Sequence, residues 1–113
     1  MNAEEFVRRV RKSIIEENLS TYKDLFQSTD PKDATDPHWN RALQLYDDLS
    51  DEDRAALFAI VRQSMVDTIS NIFGILDGTS GLDGELAAFS LIDDSTAERL
   101  NGELQDRFLE QEE

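Results

Sequence analysis

Apolar residues recur at helical spacing from the start of the chain. Phe6, Val7, Val10 and Ile14 span about 80–100° of a helical wheel, and Glu4 and Glu5 suit the positive end of a helix. The pattern predicts an amphipathic helix from Ala3 to about Glu17. Continued on the same wheel, Ile15, Leu19, Tyr22 and Phe26 fall almost opposite, so an unbroken helix to residue 28 would carry two apolar faces. A break or bend near Asn18 to Ser20 resolves this, with Thr21 and Asp24 as a capping box for a short second helix. The alternative is one long helix buried on both sides.

Ser28 to Pro37 contains both prolines, each after an aspartate, and almost nothing apolar, which reads as a loop. Asp36-Pro37 is then an N-cap followed by proline at the first helical position. Trp39, Ala42, Leu43, Tyr46 and Leu49 form a narrow stripe and predict a helix over about 37–49. Ser50 with Asp53 starts the next helix, and Asp51 and Glu52 complement its dipole. Between Leu57 and Leu76 apolar residues cover more than half the circumference, which marks about 51–76 as a central helix touched from several sides. On it Val66, Ser70 and Gly74 lie one turn apart, a row of small side chains that lets another helix approach closely, either from this chain or from a second copy in a homodimer.

Gly78, Gly81 and Gly84 turn the next stretch into a loop, and Leu86 to Ile92, mostly apolar at both parities, is read as extended or irregular. Asp94 or Ser95, with Glu98 three positions after the serine, can cap a last helix bearing Leu100, Leu104 and Phe108, and Gln111 to Glu113 are expected to fray. These elements predict an all-α fold in one acidic helical domain, residues 1–113. It is a compact bundle of four to five helices around the helix at about 51–76, with a Gly-rich loop and a short extended or irregular segment at about 77–94. Such a body has a radius of gyration of roughly 13 Å.

Charge changes this picture more than composition does. The chain carries 25 acids against 11 bases, a net −14, and residues 41–113 alone hold 17 acids and 5 bases. Such a charge repels nucleic-acid phosphate and anionic lipid, so no direct nucleic-acid binding is expected and a basic protein is the natural partner. Arg8, Arg9, Arg11 and Lys12 can neutralise part of the acidic excess within the fold or across a dimer. Without cysteine there are no disulfides, thiolate metal sites or thiol nucleophiles, and a cytoplasmic setting is the expectation. No stretch approaches the ~18 apolar residues of a membrane span, and the charged N-terminus has no apolar leader core.

Candidate chemistry is sparse. The single histidine, His38, fits the first turn of a helix better than a general base, and no cysteine can partner it. Asp77 to Glu85 alternates oxygen donors as a calcium loop does, yet Leu82 stands where the required glycine belongs and Ala88 where the bidentate glutamate belongs. No phosphate-cradling or dinucleotide-binding glycine motif occurs, so no cofactor, metal or catalytic residue is assigned. Asp47, Asp48, Asp51, Glu52 and Asp53 cluster at a helix junction and are the candidate partner-binding acids.

Three functional readings follow. The first is a non-enzymatic protein-binding module, of inhibitor, adaptor or immunity type, that offers an acidic surface to a basic partner; mimicry of nucleic-acid phosphates is a special case of it. The second is a homo-oligomer with Val66, Ser70 and Gly74 as its interface. The third is a carboxylate- or metal-dependent enzyme, which requires at least three of Asp77, Asp83, Glu85, Asp93 and Asp94 to converge.

Overall fold

The computed structural model describes all residues, 1–113. The chain is mostly helical, in the order α1 (Ala3–Val10), a π-helical segment (Arg11–Glu16), α2 (Glu17–Ser28), a 3-10 turn (Pro31–Asp33), α3 (Pro37–Asp48), α4 (Asp51–Asp77), β1 (Ile92–Asp93), β2 (Glu98–Arg99) and α5 (Leu104–Glu110). The expected compactness is not observed. The radius of gyration is 17.8 Å and the extents are 50 × 31 × 29 Å, because the 27-residue α4 runs the length of the molecule with a separate cluster of side chains near each end.

Asn2 starts α1 by accepting the Glu5 N–H at 2.8 Å. The helix does not break near Asn18 to Ser20, and Thr21 caps nothing; its hydroxyl donates to the Glu17 carbonyl inside a continuous helix. The two-face conflict is removed at residues 11–16 instead. There the Glu17 N–H reaches back five residues to the Lys12 carbonyl. Bonds of this span turn the chain through less than the ~100° per residue of an α-helix, so one face slips into register with the next. Val7 and Ile15 both end up fully buried, with Leu19 and Phe26 partly buried further along, while Ile14, expected on the first stripe, is turned out to solvent.

Local chemistry sets the ends of α3 and α4. Asp36 accepts from the N–H groups of His38 and Trp39, with Pro37 at the first helical position, and Ser50 accepts from the Asp53 N–H at 3.1 Å. Gly78, at φ 77°, closes α4 through bonds to the Gly74 and Ile75 carbonyls. Around one end of α4, Tyr22, Phe26, Trp39, Tyr46 and Phe58 stack with ring centroids 5.1–6.3 Å apart. Around the other end, Val7, Ile15, Val66, Ile69, Phe73, Leu104 and Phe108 form the main core.

The last third of the chain departs furthest from expectation. No helix starts at Asp94 or Ser95. Asp93 accepts from the Ser95 N–H and hydroxyl, Ala97 takes a positive φ of 62°, and β1 and β2 pair antiparallel as a hairpin. Upstream, Asp83 (φ 51°) and Gly84 (φ 83°) form the tight turn that brings Leu82 and Glu85 into mutual backbone bonds. α5 begins only at Leu104, and the side chain at its own N-cap position, Glu103, caps none of its N–H groups. Asp77, at the end of α4, caps it from 27 residues away, accepting from the N–H groups of Gly102, Leu104 and Gln105 at 2.7, 3.1 and 2.9 Å. An Asp77→Ala variant is expected to lose about 2 kcal/mol in chemical denaturation, the upper range for a helix cap, since three donors are orphaned together. An unchanged midpoint would mean water replaces the carboxylate without loss.

Glu112 is anchored rather than frayed. It accepts from Arg62 at 2.7 and 3.1 Å and from Arg11 at 2.8 Å. The bond from Arg62, then that from Arg11, holds its carboxyl below the usual glutamate range against the opposing effect of partial burial. A lowered pKa in the folded state means the unfolded state binds the proton more tightly. The contribution is therefore complete above the ordinary glutamate pKa of about 4.3 and is lost as pH falls through the lower folded value. Urea midpoints measured from pH 6 down to pH 3 are expected to fall less in Glu112→Gln than in the native chain.

Candidate functional site

The candidate acids meet where α3 ends and α4 begins. Asp47, Asp48, Asp51, Glu52 and Asp53 are all exposed, Asp51 completely. Two neighbouring helix ends explain the crowding: Asp47 and Asp48 close α3, and the other three occupy the first turn of α4, where their charge offsets the helix dipole. One base lies beneath them. The guanidinium of Arg54 stacks over the Tyr46 ring at 4.2 Å and donates to the Tyr46 carbonyl at 2.9 Å and the Asp47 carbonyl at 3.3 Å. Its nearest carboxylate, Asp51, is 3.9 Å away. Arg54 thus braces the junction and leaves most of its negative charge uncompensated. An open hollow beside it is lined by Phe26, Thr29, Asp30, Tyr46, Asp47 and Arg54.

The row Val66, Ser70 and Gly74 has a different fate from that expected of an oligomer interface. All three are buried within the chain, because α5 packs on them. The Gln105 amide donates to the Ser70 carbonyl at 3.0 Å and to its hydroxyl at 3.2 Å. A methyl group at Gly74 would collide with Ser80 and Gln105. The small side chains serve this intrachain approach, so the row offers no surface to a second copy.

His38 is exposed on the outer side of α3, its ring edge-on to Trp39, in a groove shared with Arg41, Leu45 and Asp48. The carboxylates of residues 77–94 are dispersed. Asp77 caps α5, and Asp93 accepts from the Met1 ammonium and Ser95, which together hold it well below the usual carboxylate range. No three acids gather where one cation would reach them. No helix is long and apolar enough to cross a membrane.

Several structurally decisive residues carry little sequence signal. Arg11 is 8% exposed and reaches the Phe108 carbonyl, Gln111 and Glu112. Asn101, 7% exposed, accepts from the Leu91 N–H and donates to the Phe89 and Leu76 carbonyls. The Asp83-Gly84 and Asn101-Gly102 dipeptides are turn signals that point to the irregular backbone around them. Comparison of the chain with known family models, with characterised proteins and with solved structures finds no match.

Proposed function

We propose that this chain is a small non-enzymatic binding module that presents the acidic α3–α4 junction to a basic partner protein. The exposure of Asp47, Asp48, Asp51, Glu52 and Asp53, with Arg54 engaged beneath them by backbone carbonyls and the Tyr46 ring, supports this reading most directly. Uncompensated charge of one sign on a fixed scaffold attracts basic surfaces over a Debye length of about 10 Å at 0.1 M salt and accelerates their association. The net charge of the whole chain, −14, acts in the same direction.

The test is affinity capture of partners at low and high salt, comparing the native chain with one carrying Asp47→Asn, Asp48→Asn, Asp51→Asn, Glu52→Gln and Asp53→Asn. Ser50 still caps α4 in the variant, so helical content is expected to persist. A basic protein retained by the native chain at low salt and lost both at high salt and with the variant is the expected result. Partner retention indifferent to salt would overturn the proposal.

A further inference from the structure

We propose that the exposed segment from Leu86 to Ile92 is a strand-docking edge that receives an extended, apolar, base-flanked segment of the partner. The inference rests on the proposed binding function and gives it a second, structurally defined contact. One side of the segment is already bonded at Phe89 and Leu91. The Leu91 carbonyl accepts from the Leu100 N–H at 2.7 Å, and the Asn101 amide bridges the Phe89 carbonyl and the Leu91 N–H at 2.8 Å each, as the peptide group of a neighbouring strand would. The backbone groups of Ala88 and Ser90, alternating with those of Phe89 and Leu91, take no part in these bonds, the alternation a strand edge requires.

Nothing in the chain meets them. The N–H groups of residues 86–90 donate to no atom of the protein. Leu86, Ala88, Ser90 and Ile92 are all exposed, Leu86 at 68% and Ile92 at 49%. Unpaired backbone edged with exposed apolar side chains is what an added strand satisfies: main-chain bonds give affinity and alternate side chains give specificity.

Charge selects the occupant. Asp83 and Glu85 lie at one end of the segment and Asp94 and Glu98 at the other, all exposed or half-exposed. Two cations lie close by: the Met1 ammonium is held by Asp93, 3.8 Å from Glu98, and the exposed Arg99 is engaged by the Phe89 carbonyl and Asn101, which leaves Asp83, Glu85 and Asp94 without a basic partner. A second copy fits less well. The antiparallel register that overlays residues 86–92 on themselves sets Leu86 against Ile92, but also Glu85 against Asp93, like charges directly opposed, on bodies each carrying −14.

The probe is a synthetic peptide with alternating valine and threonine and lysines at both ends, followed by amide hydrogen exchange and NMR titration of the full chain. In the free chain the amides of Ala88 and Ser90 are expected to exchange without protection, and the peptide to protect them. The same peptide N-methylated at alternate residues, or Ala88→Pro in the protein, is expected to weaken binding by roughly tenfold or more, since each deletes a ladder bond and blocks strand approach. Native exchange protection elsewhere in the chain shows that Ala88→Pro is folded.

Absence of peptide binding overturns the edge, as does binding that protects no amide of residues 86–90. If the peptide binds instead at Asp47 to Asp53, the edge fails while the acidic module stands. If protection of residues 86–90 rises with protein concentration and no peptide, the occupant is a second copy and the hetero-partner assignment is overturned.

Discussion

Replacing Phe108 by alanine is expected to destabilise the chain by about 4 kcal/mol, as for other large-to-small changes at fully buried aromatic positions. Phe108 is 0% exposed, meets Phe73 edge-on with centroids 5.4 Å apart, and lies under the Arg11 guanidinium at 4.2 Å. Its removal leaves a cavity and withdraws the surface on which Arg11 rests. Urea unfolding followed by circular dichroism gives the magnitude. Trp39 fluorescence adds a second readout, because that side chain stacks with Tyr22 and Phe26 in the other cluster. α4 passes through both ends of the molecule, so both probes are expected to shift together. A fluorescence midpoint that stays in place would mean that the two ends unfold independently.

The helices that sequence predicts well are those whose ends are governed by adjacent residues. Asp36-Pro37 and the Ser50 and Asp53 pair act within one turn, and α3 and α4 begin where they place them. The phase of the N-terminal helix is a different kind of problem. Its two apolar stripes declare a conflict, and the resolution by a break or by a π segment depends on what α4 and α5 present to it. α5 is harder still, because its cap is Asp77 on another element. Ser95 and Glu98 have the right spacing for a capping box, yet the positive φ of Ala97 and the hairpin pairing take those residues into a turn. Local spacing ranks candidate caps, and tertiary contacts choose among them.

The two parts of the proposed binding surface differ in the same way. Exposure of the acidic junction is legible because five charged side chains in seven residues have few routes into a core. The edge at residues 86–92 is not legible, since its mixed apolar parity fits several conformations. Only Asn101, bonded at Phe89 and Leu91, shows which backbone groups remain free. The row of small residues shows the converse limit: spacing reveals that something packs closely there, and the fold shows that it is α5.

Arg11→Met is expected to lose about 3 kcal/mol, in the range found when one member of a buried charged network is removed. The methionine keeps the apolar stem but cannot donate to the Phe108 carbonyl, Gln111 and Glu112, nor place a charge at the C-terminal end of α5. Lysine is not expected to rescue, because a single ammonium cannot fork to three acceptors while lying flat on the Phe108 ring. Glu112 retains Arg62, so its carboxylate is weakened rather than orphaned. Without Arg11 its folded pKa rises toward the unfolded value, and the acid-dependent part of the stability shrinks. Adding Glu112→Gln to Arg11→Met is then expected to cost less than it does in the native chain, and a double-mutant cycle across pH 6 to 3 measures the difference. Strict additivity at pH 6 would mean that Arg11 acts through Phe108 and the helix end alone.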